Sequence, residues 1–135
     1  MQALGHERIA GEPGALDYDT IPSVVYTRPE VAAVGRSEAE ARDAGLDIRV
    51  VKVAIDVAGA SLHAEGYEGT AQLVVDERRR VIVGATFVGP EVGEMLHAAT
   101  IAVVGEVPLD RLWHAVPAFP SVSEVWLRLL EAYGL

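Results

Sequence analysis

The sequence predicts an α+β domain, a mostly antiparallel sheet with helices packed on one face. Three observations point there. Short β-branched runs dominate residues 23–88. Two of them are joined by a charged tetrad that reads as a hairpin turn. After Gly89-Pro90 the apolar residues switch to the 3.6-residue period of helices.

The elements follow in order. Residues 1–16 are polar and glycine-rich and read as a flexible lead-in or linker remnant, with the domain proper at 17–135. Ser23–Thr27 is β-branched and bounded by Pro22 and Pro29, which predicts a strand at or near an edge. Ser37 and Glu40 have capping-box spacing and Gly45 marks a stop, so a short helix is expected over 38–44. Residues 48–55 alternate imperfectly as a strand, and Ala58-Gly59-Ala60-Ser61 reads as a break. Strands are expected over 70–75 and 80–88, joined by Asp76-Glu77-Arg78-Arg79. Val92, Met95, Leu96, Ala99 and Val103 then fall at helical spacing. Residues 108–113 suggest a short helix. The last helix opens at Ser121, with Val122, Val125, Trp126, Leu129, Leu130 and Tyr133 on one stripe.

Composition narrows the function. The 135 residues suit one domain, and there is no cysteine for a disulfide, a thiol nucleophile or a zinc–thiolate site. Eleven basic against twenty acidic side chains give a net charge of −9, which argues against nucleic acid or an anionic membrane as partner. No apolar run approaches the ~20 residues a membrane-spanning helix needs. The first residues lack the basic and apolar regions of a signal peptide, and the expectation is a cytoplasmic protein. An apolar fraction of 50% leaves a permanent protein interface open.

Most motifs that invite a catalytic reading dissolve into structural ones. Gly84, Gly89 and Gly93 match neither the dinucleotide fingerprint nor the P-loop, and read as a strand ending in a turn before a helix. His6, His63, His97 and His114 form no ligand-spaced pair, so no metal is expected. A triad of Ser121, His114 and Glu124 can be drawn, but no G-x-S-x-G elbow supports it. The informative segment runs from His114 to Glu124. Within it Ser121 and Glu124 have the spacing of a second capping box, which leaves the prolines and Phe119 before them without a role.

Three stretches, in order, resemble the C-terminal dimerisation domain of the pyridine nucleotide–disulfide oxidoreductases, the family of dihydrolipoamide dehydrogenase, glutathione reductase and mercuric reductase. Residues 18–35, with Pro22, Tyr26-Thr27, Pro29-Glu30 and Val34-Gly35, are similar to the family's entry into this domain. Residues 81–95, VIVGATFVGPEVGEM, resemble its strand-to-helix passage. Pro120–Glu124 matches the tail of its His-Pro-Thr-x-x-Glu motif. The resemblance covers roughly residues 17–135.

It implies a homodimerisation module of a larger FAD- and NAD(P)H-dependent oxidoreductase, each copy completing the partner subunit's flavin site. Neither cofactor is expected on this fragment alone. Glu124 takes the place of the family's catalytic carboxylate, and Phe119 and Pro120 fall where the family approaches the partner's flavin. Phe119 also stands where the family's proton-shuttling histidine is found, and a phenyl ring cannot carry a proton. The usual dithiol–disulfide route is thereby put in question in favour of a quinone or another electron acceptor. A free-standing α+β binding or interaction domain is the alternative, because a fold alone does not fix a function.

Overall fold

The structure is a computed structural model that describes residues 20–63 and 65–135. The expected lead-in over residues 1–16, and the start of the domain at 17, lie outside the described residues. The strands are β1 (Ser23–Val25), β2 (Glu30–Gly35), β3 (Ile48–Ala54), β4 (Thr70–Asp76) and β5 (Val81–Gly89). The helices are α1 (Glu38–Asp43), α2 (Ala58–His63), α3 (Leu96–Val104), α4 (Leu109–Leu112) and α5 (Val125–Tyr133). Turns of 3₁₀ type at Val92–Met95 and Val122–Glu124 lead into α3 and α5.

The five strands make one antiparallel sheet in the order β1-β2-β5-β4-β3. The α+β expectation holds, and β1 is an edge strand as its flanking prolines require. Helix α3 packs on β2 and β5, and α5 on β3 and β4. Their buried residues share one core with Ala32, Val51, Leu73, Ala85 and Phe87 of the strands. α5 contributes Val125, Leu129, Leu130 and Tyr133, the stripe its period predicts, and α3 contributes Leu96, Ala99, Ala102 and Val103.

Two sequence expectations need correction. Residues 30–35, for which the residue pattern predicts no element, form a full strand, β2. Its alanines have weak strand preference of their own, but Ala32 sits opposite Phe87 and is fully buried, so small side chains are what this central position admits. Residues 58–61 are not a break but most of α2. That helix lacks an apolar period and is held by tertiary contact: Ala60 is buried, and Gly59 lies against Ser121.

The capping box at α1 forms as read. The Glu40 N–H donates to Ser37 Oγ at 3.2 Å and the Ser37 N–H to Glu40 Oε1 at 3.1 Å. The Ser37 backbone bond, foremost, holds the Glu40 carboxyl below its ordinary range. The charged tetrad is indeed a hairpin connection, with Arg79 paired to Glu106 and Arg80 to Asp110.

At the far end of α5, Tyr133 donates to Glu77 Oε2 at 2.7 Å, with the Arg49 guanidinium 5.0 Å from its ring centroid. Burial, and then the bond to the Glu77 carboxylate, push its phenol above the ordinary value. A raised folded-state pKa stabilises fully below the unfolded value and is lost as pH rises through the folded one. Tyr133→Phe is therefore expected to cost about 1 kcal/mol at neutral pH and to show less alkaline destabilisation above about pH 10 than the wild type. Urea midpoints followed across that range for both chains check the sign.

Candidate functional site

The segment from His114 to Glu124 leaves α4, crosses the surface and re-enters the fold through α5. Its two ends differ sharply in how they are held. Phe119 is 78% exposed and Pro120 is exposed, after a cis Phe119–Pro120 peptide bond. Two residues later the chain is pinned. The Ser121 hydroxyl donates to the Ala118 carbonyl at 2.5 Å, and the Ser121 N–H donates to Glu124 Oε2 at 2.9 Å. The second capping box is present, so that reading of Ser121 and Glu124 holds.

Glu124 does more than cap. The same Oε2 accepts the N–H of Gly59, in α2, at 3.2 Å. One carboxylate oxygen thus joins two segments 65 residues apart in sequence, and the approach is possible only because position 59 has no side chain. A Cβ there would lie 2.0 Å from the Ser121 carbonyl carbon and 2.2 Å from its oxygen. Gly59 is the residue that sequence reasoning missed. A glycine in an Ala-Gly-Ala-Ser run carries no local mark of a contact made so far along the chain.

His97 is exposed on α3 and His114 is exposed after α4, while His6 lies outside the described residues. Among the described residues no group of three or more His, Cys, Asp or Glu could hold a metal ion. Nor, among them, is any helix long and apolar enough to cross a membrane.

Beside the segment runs an apolar groove of about 330 Å³ between α3, the stretch after α4 and α5. Ile101, Ala102, Leu112, Pro117, Trp126 and Leu130 are among its walls. The structure separates residues that helical periodicity could not. Leu130 belongs to the core, Trp126 is half-buried against Phe87 with ring centroids 6.2 Å apart, and His97 faces outward.

The pyridine nucleotide-disulphide oxidoreductase dimerisation domain, as a family model, matches residues 21–130. The chain belongs to this family. The matched stretch takes in the whole sheet and α5 as far as residue 130. Among relatives of this dimerisation domain, the dihydrolipoyl dehydrogenase of Geobacillus stearothermophilus is 33% identical over 125 residues, which are 93% of this chain and 27% of that protein. That of Bacillus subtilis is 31% identical over 128 residues, 95% of this chain and 27% of the relative. The chain spans about a quarter of the length of these relatives. In fold, it is similar to the HOCl-induced flavoprotein disulfide reductase RclA from Escherichia coli, with a TM-score of 0.76 and 24% identity over 84% of this chain and 26% of that one. These matches do not favour a free-standing binding domain, since each lies within a much longer chain.

Proposed function

We propose that this dimerisation domain joins two subunits of an FAD- and NAD(P)H-dependent oxidoreductase into a homodimer, and that its 119–124 segment closes the partner subunit's flavin site. The observation that carries the reading is the family match together with the way this segment is built. Phe119 projects from the fold while Glu124 anchors the residues behind it. A side chain held out so firmly, and serving so little of its own core, suits a surface presented to another body.

The residues fit a flavin approached from outside. Phe119 and Pro120 are uncharged and exposed and offer an apolar edge to a planar ring. No Lys or Arg occurs between His114 and Glu124 to hold a pyrophosphate, so the cofactors' own binding belongs to other domains of the longer protein and this fragment binds neither alone. When bound, the cofactors supply hydride transfer from NAD(P)H to flavin. This chain's residues orient and exclude water. Glu124 occupies the place of the catalytic carboxylate, and in this chain it works by fixing the backbone from Ser121 onward. Phe119 holds no proton to pass to a dithiol, which favours an acceptor such as a quinone over disulfide exchange. The domain boundary at residue 17 and a cytoplasmic setting belong to the same proposal, as does the absence of metal, nucleic acid and membrane from its partners.

Purified, the 135-residue chain is expected to sediment as a dimer, to be colourless, and to oxidise no NAD(P)H. A monomer with its own turnover would overturn the reading.

A further inference from the structure

A cleft of about 220 Å³ opens at the end of the sheet where β2 finishes and β5 begins. It shares no lining residue with the apolar groove and none with the 119–124 segment. Ile82 and Val103, both buried, are part of its lining, and its polar lining comes from Thr20, Arg36, Arg79 and Glu106. Arg36 is fixed there by its backbone. Its N–H donates to the Val83 carbonyl at 2.8 Å, and the approach requires glycine at position 84, where a Cβ would collide with the Arg36 carbonyl.

The two guanidiniums of the cleft are occupied differently. Arg79 bonds to Glu106 at 2.6 Å. Arg36 is half-buried, yet among the described residues its side chain has no hydrogen bond and no ion pair. Glu40 lies close enough to feel its charge, but the Glu40 carboxylate is taken up by the capping box with Ser37. Lack of partners is no explanation, because the chain has twenty carboxylates for eleven basic side chains. A guanidinium in this position has given up part of its water and keeps a rigid fork of N–H donors, which suits the paired oxygens of a carboxylate or phosphate.

We infer that this cleft binds a small oxyanion, a phosphate or a carboxylate group, gripped by the Arg36 guanidinium with Arg79 beside it. Two guanidiniums against the one Glu106 carboxylate leave the lining with a positive excess, on a chain whose overall charge of −9 repels anions at longer range. The volume is below the roughly 300–1,000 Å³ of pockets that take whole cofactors or drug-sized ligands, so a group of a few atoms fits and a nucleotide does not. Bound there, the anion joins the end of β2 to the β4–β5 turn and to the turn after α3, and stabilises the folded domain by linkage.

The test is an amide NMR titration of the 135-residue chain with inorganic phosphate, chloride being withdrawn to hold ionic strength constant. In the wild type, saturable shifts are expected at residues 34–37, 79–84 and 103–106. Arg36→Gln, which removes both charge and fork, is expected to weaken phosphate binding by about tenfold or more. Arg36→Lys returns the charge without the fork and should recover only part of the loss. Arg128→Gln, on α5 and outside the cleft, should bind as the wild type does. Circular dichroism checks that these chains fold alike.

Asp17 and Asp19 precede Thr20 in the sequence, so the same chemistry has a source within the chain. The double substitution Asp17→Asn and Asp19→Asn separates the two sources. Phosphate affinity several-fold higher than in the wild type identifies a carboxylate of the chain as the natural occupant, and equal affinity identifies a free anion; either result supports the site. Shifts that stay linear in phosphate in both the wild type and the double variant overturn it. So does Arg36→Gln binding phosphate as tightly as the wild type.

Discussion

Phe87→Ala is expected to remove about 3–5 kcal/mol of folding stability, a large share of the roughly 5–15 kcal/mol that holds a domain together. Phe87 is fully buried in the middle of β5. Its neighbours across the sheet are Ala32 on β2 and Ala71 on β4, both fully buried and both too small to spread into the space it would vacate. Above it stands Trp126, its ring inclined at 56°. Backbone hydrogen bonding on both sides prevents the strands from closing the gap, so the cavity persists and its cost is added to the lost transfer energy. Equilibrium urea unfolding of the two chains measures the difference. A loss below about 1.5 kcal/mol, as for a volume-conserving swap, would show that this part of the core is not packed as described. Because Trp126 also lines the groove beside α3, the variant should carry a change in tryptophan emission before it unfolds.

Gly59→Ala is expected to cost about 3 kcal/mol, at the upper end of overpacking effects. The added carbon would meet main-chain atoms of Ser121 rather than a side chain able to rotate away. Helix α2 and the Val122–Glu124 turn must then separate, and the Gly59 N–H loses its carboxylate acceptor, itself a penalty of about 1–3 kcal/mol for a group shielded from water. The effect should be local in character. Backbone NMR shifts are expected to change around residues 57–62 and 119–125 while the β2–β5 pairing stays as it was. Stability within about 0.5 kcal/mol of the wild type, the range of an ordinary surface substitution, would refute the contact.

Much of the architecture could be read from residue patterns, and the reasons are physical. Strands β3, β4 and β5 carry β-branched runs, and a charged turn over residues 77–80 separates the last two, although Asp76, expected in that turn, is instead buried as the last residue of β4. Helix α5 keeps a single apolar stripe, with Val125, Leu129, Leu130 and Tyr133 buried in the order their spacing requires. Both capping boxes are local chemistry and were visible as Ser-x-x-Glu. The two elements that escaped, β2 and α2, owe their form to partners elsewhere. Ala32 is held in a strand by its pairing opposite Phe87 in β5 and by full burial. Gly59 is helical because the Ser121 backbone presses against it. The 3₁₀ turns ahead of α3 and α5 were likewise merged into the helices they precede, since apolar spacing does not register a tighter first turn.

For the site the division is similar. Residues 119–124 stood out because prolines and an aromatic preceded a cap with no local need of them. Which atoms Glu124 would bind beyond Ser121 depended on a segment 65 positions away, and no spacing rule spans such a distance. Which side of α3 faces outward was likewise hidden. Its residues look alike whether they point to the sheet or away from it, and only the fold sorts Ala99 from Ile101.

The exposure of Phe119 has a consequence for how such a domain diversifies. A side chain that meets almost none of its own protein contributes almost nothing to its folding, so the residue at this position can be exchanged while the Gly59–Glu124 fastening behind it keeps the backbone in place. The side chain shown to the surroundings at this point can thus change in a single substitution without the framework having to be stabilised anew.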